Sequence, residues 1–178
     1  GIIVVSGTTI LDCSYCSKPR KRRRCCNAHD VTNKIIKNNL ITYIKDKESK
    51  PILFNSWEVC TFNFNTDSII SYIDDSLKIG SEIFVLDDGW FGDRNDDHRA
   101  LGDWFVNSKK IDLHKVINHC HNKGLKFGIW FEPEMVNADS NLYREHKDYV
   151  LGEPNQDLRV GRHQFHLDFA NEEVVDNI

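Results

Sequence analysis

Glu82-Ile83-Phe84-Val85-Leu86-Asp87-Asp88-Gly89 decides the fold class. Ile83, Phe84 and Val85 are strong strand formers. The run is apolar at successive positions instead of alternating, as a strand covered on both faces requires, and such strands belong to parallel sheets. It then stops in two acids and a glycine. Upstream, residues 67–80 carry Ile69, Ile70, Ile73, Leu77 and Ile79 near helical spacing, with Gly80 as a stop. Before them, Pro51-Ile-Leu-Phe-Asn-Ser-Trp57-Glu58 reads as a strand ending in polar residues. Downstream, a polar loop from Asp93 to Asp103 leads to a helical face at Leu113, Val116, Ile117 and Cys120, which stops near Gly124. A third strand, Lys126-Phe-Gly-Ile-Trp130-Phe-Glu132-Pro133, again ends in an acid.

Strand–helix–strand–helix–strand implies a parallel sheet with crossover helices, in a barrel or an open sheet alike. A (β/α)₈ barrel takes about 250 residues, so three such units are part of one. Beyond Pro133 the pattern gives a loop, a short helix near Leu142 to Val150, an extended stretch at His163 to Asp168, and a helix start at Asn171. There Asn171 stands as N-cap, with Glu172 and Glu173 in the first turn.

Composition sets outer bounds. The 178 residues are 40% hydrophobic and 28% charged, as in ordinary globular domains. A formal net charge of −4 gives the whole chain no electrostatic case for nucleic acid. No apolar run approaches the roughly 20 residues of a membrane span. Ile2 to Val5 is too short for a signal-peptide core, and no basic residue precedes it. With Gly1 at the start, the compartment is left open.

Residues 1–30 read differently from residues 31–178. They hold Cys13, Cys16, Cys25 and Cys26 around a basic run, Lys18 to Arg24, with no helical or strand period. A zinc site or a nucleic-acid-binding tail is the sharp reading, weakened because Cys25 and Cys26 are adjacent. The plain readings are an irregular, disordered tail or a stretch that is not authentic coding sequence. Residues 33–50 read as a helix leading into the domain. Cys60 and Cys120 sit in apolar-periodic segments and read as buried thiols. Asp93, Asn95 and Asp97 alternate like a calcium loop. However, His98 stands where that loop needs Gly, and Trp104 where it needs Glu. No metal and no cofactor are expected.

Each strand puts acids and indoles at its C-terminal end: Trp57 and Glu58; Asp87, Asp88 and Trp90; Trp130, Glu132 and Glu134. In parallel β/α folds that end collects function. Carboxylates suit sugar hydroxyls, and a rigid indole covers the apolar face of a sugar ring.

The order of four motifs is more specific. Asn55-Ser56-Trp57-Glu58, Leu86-Asp87-Asp88-Gly89-Trp90-Phe91-Gly92, Leu101-Gly102-Asp103-Trp104-Phe105 and Gly128-Ile129-Trp130-Phe131-Glu132-Pro133-Glu134-Met135 resemble the catalytic barrel of glycoside hydrolase family 36, the microbial α-galactosidases. Leu142-Tyr143-Arg144-Glu145-His146 and Gly161-Arg162-His163-Gln164 extend the resemblance, which covers roughly Thr32 to the end. It implies a partial (β/α)₈ barrel, about the first three units, over residues 31–178; the irregular tail at 1–30 stands outside it. It implies that Asp87 and Asp88 bind galactose hydroxyls, that Trp57 and Trp130 are pocket tryptophans, and that Arg162 binds substrate. Where the family more often has Asn, this chain has His163. The resemblance gives Glu132 and Glu134 supporting roles, although their spacing tempts a reading as a catalytic pair.

The implied parent enzyme hydrolyses terminal α-galactosides of oligosaccharides with retention, through a covalent galactosyl-enzyme. Retaining pairs stand ~5–5.5 Å apart. The family nucleophile lies in a Lys-Trp-Asp-x-Asn strand with the acid/base later still, and neither motif occurs within these residues. Catalytic residues are therefore expected downstream of Ile178, and the chain alone is expected to be inactive. The alternative is a truncated, non-catalytic sugar-binding remnant. An α-galactoside oligosaccharide is the expected partner, with neither membrane nor nucleic acid, and a homo-oligomeric parent is left open.

Overall fold

The two long helices are set by their first residues. Asn65 accepts a hydrogen bond from the Ser68 backbone N–H at 3.0 Å, while Ser68 Oγ accepts from the Asn65 N–H at 2.9 Å. This reciprocal cap satisfies donors that a helix start leaves open. It launches α2 (Thr66–Lys78), which buries Ile69, Ile73 and Ser76. Asp112 likewise caps α3 (Leu113–Asn122), accepting from the Lys115 N–H at 3.0 Å, and α3 buries Val116 and Cys120. Both helices end at glycines with positive φ, Gly80 and Gly124.

The helices link three parallel strands: β2 (Leu53–Asn55), β3 (Ile83–Leu86) and β4 (Lys126–Phe131). Leu53 pairs with Ile83 and Asn55 with Val85, while Ile83 pairs with Lys126 and Leu86 with Ile129. All four residues of β3 are buried, as its uninterrupted apolar run requires. A fourth strand, β1 (Ile2–Ser6), lies parallel on the other edge of β4, giving the order β1-β4-β3-β2. Main-sheet and helix residues Phe84, Leu86, Phe127, Ile69, Ile73, Val116 and Cys120 form one core with Phe91 and Leu101.

A smaller antiparallel pair, β5 (Met135–Asn137) with β6 (Gln164–His166), follows the main sheet. With α4 (Asn141–Glu145), a 3₁₀ turn at Lys147–Tyr149 and α5 (Glu172–Asn177), it surrounds a second core of Val136, Leu142, Tyr149, Leu167 and Val174. Asn171 caps α5 by accepting from Glu173 N–H, as expected. The computed structural model describes residues 2–6, 51–152 and 162–178, all within one compact unit. The expected helix at 33–50, the basic run and Cys13, Cys16, Cys25 and Cys26 lie outside the described residues.

The α/β class and the strand–helix–strand–helix–strand order with a parallel sheet are as read from the sequence. Two local readings need correction. The first strand does not run to Glu58. It stops at Asn55, and Trp57–Cys60 form a short helix, α1. The Asn55 side chain accepts from the Trp57 N–H at 2.8 Å, and Ser56 already has helical φ and ψ. Such side-chain-to-backbone bonds compete with a strand ladder. In the stretch read as an irregular tail, Ile2–Ser6 is a strand. It stands outside the strand–helix alternation of the sequence, and its parallel pairing with β4 identifies it.

Candidate functional site

The parallel strands bring their C-terminal ends side by side. From the end of β2, Ser56 Oγ accepts from the Asp87 N–H at 3.0 Å, and Asn55 Nδ2 donates to Asp87 Oδ2. Asp87 Oδ1 accepts from the Asp88 N–H at 2.8 Å. The first acid is thus fixed by the neighbouring strand and by its own successor. Gly89 then turns the chain at φ +99°, and a Cβ there would meet the Phe62 ring at 3.0 Å.

Asp88 is held differently. Its carboxylate is 3% exposed and pairs with Arg94, which is fully buried. Arg94 Nε donates to Oδ1 at 2.9 Å and Nη2 to Oδ2 at 2.8 Å. This forked geometry suits a guanidinium and a carboxylate. Burial pushes the Asp88 carboxyl above the usual carboxylate range; Arg94 opposes the shift and the Asp87 charge adds to it.

The indoles stand on the adjoining elements. Trp57 opens α1 and packs edge-on against Phe62, with ring centroids 5.1 Å apart. Trp130, on β4, accepts from Trp90 Nε1 at its carbonyl, at 3.0 Å. Trp104 is half-buried and stacks on Phe131, with ring centroids 3.9 Å apart. Arg162 reaches in from the segment before β6 and donates to Asp97 Oδ1 at 3.1 Å. Arg162 and His163 both have positive φ, 54° and 59°.

Trp57, Asp87, Asp88, Trp130 and Arg162 all line one open cavity of about 530 Å³, with Asn55 and Glu58. The structure therefore gathers every residue singled out for substrate. A second cavity, of about 580 Å³, is walled by the loop residues Asp93, Arg99 and Lys109 and by Arg144 of α4. It has neither paired acids anchored at strand ends nor an indole, so the first is the better candidate. Glu132 and Glu134 line neither cavity. Glu132 has one long side-chain contact, from Gln164 Nε2 at 3.5 Å. Burial pushes its carboxyl up, partly offset by Arg162. Cys60 and Cys120 are free, buried thiols, with burial pushing Cys120 to about 11.

Arg94 had no signature in the sequence. An arginine in a polar loop defaults to solvent, and only the fold carries it beneath Asp88. Asn55 and Glu58 lay inside a quoted motif, but their place in the cavity depends on α1. Among the described residues, no three His, Cys, Asp or Glu side chains are grouped to hold a metal ion, and no helix is long and apolar enough to cross a membrane.

Residues 26–178 match the family model described as Melibiase. The chain belongs to the Melibiase family. Alpha-galactosidase Mel36A of Lactobacillus acidophilus is 47% identical over 131 residues, covering 72% of this chain and 18% of that relative. The crystal structure of the family 36 alpha-galactosidase AgaA from Geobacillus stearothermophilus superposes with a TM-score of 0.71 at 45% identity, covering 75% of this chain and 19% of that one. A variant of AgaA crystallised in complex with raffinose gives 0.69 at 45% identity, covering 72% and 18%. This Melibiase chain thus spans less than a fifth of the length of each of these three relatives.

Proposed function

We propose that residues 31–178 form part of a (β/α)₈ barrel and carry one wall of a galactoside pocket, built from Trp57, Asp87, Asp88, Trp130 and Arg162. The observation that supports this reading is the anchored acid pair at the C-terminal end of β3, facing a cavity flanked by two indoles and an arginine. Asp87 and Asp88 would accept hydrogen bonds from vicinal sugar hydroxyls. Trp57 and Trp130 would cover C–H faces of the ring, and Arg162 would donate to a ring or glycosidic oxygen. The described acids are held for binding: Asp88 already gives both oxygens to Arg94, which suits a fixed acceptor and not a nucleophile.

The parent protein would hydrolyse terminal α-galactosides with retention, since its relatives are α-galactosidases. These 178 residues would bind galactose without turning over a galactoside, because covalent catalysis needs a placed nucleophile and an acid/base. Incubating the chain with p-nitrophenyl α-galactoside tests this, alongside a galactose titration followed by tryptophan fluorescence. Saturable binding without release of nitrophenol is expected. Turnover by the purified chain, or no sugar binding, overturns the reading.

A further inference from the structure

The candidate acceptor Asp88 and the candidate donor Arg162 come from distant parts of the chain, yet they meet in one hydrogen-bonded network. Arg94 lies at its centre. Nε and Nη2 hold Asp88. Nη1 donates to Asn137 Oδ1 at 2.8 Å and to the Arg99 carbonyl at 2.9 Å. Nη2 also stands 3.5 Å from Asp97 Oδ1, the oxygen that Arg162 contacts at 3.1 Å. Asn137 is fully buried on β5. Its Oδ1 also accepts from the Leu101 N–H at 3.0 Å, and its Nδ2 donates to the Asp97 carbonyl at 3.1 Å and the His163 carbonyl at 2.9 Å. Asp88, the loop at 93–101, β5 and residues 162–163 are therefore tied together through two side chains.

A desolvated ion pair contributes little net stability compared with well-packed apolar groups. What a planar guanidinium does supply is fixed direction to several acceptors at once, which a lysine cannot reproduce. We propose that Arg94 is a positioning residue that, with Asn137 and Asp97, sets the spacing between Asp88 and Arg162 and thereby the fit of the pocket to the hydroxyl pattern of galactose. The inference rests on the galactoside reading of the cavity. Arg94 itself reaches the sugar only through Asp88 and Asp97.

Two variants separate this from a merely structural role. Arg94→Lys keeps the charge and loses the fork. Asp97→Asn, at a half-exposed position, keeps the Arg94–Asp88 pair and loosens Arg162. Galactose and glucose dissociation constants are measured for each full chain, with thermal melts and the ¹⁵N NMR signal of Arg94 Nε–H in the absence of sugar. Losing charge-assisted bonds should weaken galactose binding about tenfold or more in Arg94→Lys and about threefold in Asp97→Asn. Both should compress the preference for galactose over glucose, and Asp97→Asn should melt like the wild type. If Arg94→Lys fails to fold, Asp97→Asn decides alone. A folded variant that keeps wild-type affinity and preference overturns the role of the network. A wild-type chain that binds galactose but has no protected Arg94 Nε–H signal overturns it too, leaving the pocket intact. A protected signal without galactose binding refutes the sugar reading, and the positioning role falls with it.

Discussion

Two acid pairs end adjacent strands, Asp87-Asp88 after the buried β3 and Glu132-Pro133-Glu134 after the partly buried β4, and they have opposite surroundings. Every carboxylate oxygen of Asp87 and Asp88 accepts a hydrogen bond, and both residues line the strand-end cavity. Among the described residues Glu132 has one side-chain hydrogen bond, at 3.5 Å, and neither glutamate lines the strand-end cavity or the cavity at Asp93 and Arg99. An acid at a strand end becomes a binding group when neighbouring elements fix its direction. Burial raises the carboxyls of both Asp88 and Glu132; hydrogen bonds from Arg94 oppose it at Asp88, whereas at Glu132 only the through-space charges of Arg162 and Arg94 do.

Removing the best-held acid should do the most damage. Asp88→Ala strands Arg94 in a fully buried position, which should cost about 3–5 kcal/mol in urea denaturation and abolish galactose binding. Asp87→Ala, half-buried and bonded mainly to neutral groups, should cost about 1–2 kcal/mol. Equal losses at the two positions would break the distinction drawn between Arg94 and Asn55 as anchors.

Trp57→Ala or Trp130→Ala should weaken galactose binding about threefold to tenfold by removing one covered sugar face.

Glu132→Gln should leave sugar binding nearly unchanged and alter the pH dependence of stability. Because burial raises the carboxyl of Glu132, the folded chain binds its proton at a higher pH than the unfolded chain does. Stability from this group therefore rises as pH falls from neutral through the raised value, and levels off below the ordinary glutamate range near 4.5. Glu132→Gln should lose that rise. An unchanged stability–pH profile would mean that Glu132 is better solvated than its half-buried position indicates. The smallest effect is expected at His163, whose φ of 59° suits glycine better than a side chain. His163→Gly should gain at most about 1 kcal/mol in thermal unfolding.

The main sheet was readable because β3 and β4 are continuous apolar runs and α2 and α3 carry helical stripes ended by Gly80 and Gly124. The five cavity residues proposed to bind substrate stand in the ordered motifs of the sequence, and composition adds only the plausibility of acids beside indoles. Three features were hidden. The β2–α1 boundary depends on the Asn55 and Ser56 side chains rerouting the backbone. Strand β1 stands apart from the strand–helix alternation in sequence, and only its pairing with β4 gives it a place. Arg94 looks like any loop arginine until residues 43 positions apart, Arg94 and Asn137, are brought within 2.8 Å. Periodicity reports which face is apolar, and it carries no information about a polar contact made over that distance.

The most direct test is a galactose titration followed by the indole N–H signals of the four tryptophans in a ¹H–¹⁵N spectrum. Saturable shifts at Trp57 and Trp130, with Trp104 nearly still, are the predicted result; no shifts, or shifts led by Trp104, would contradict a galactoside pocket at the strand ends.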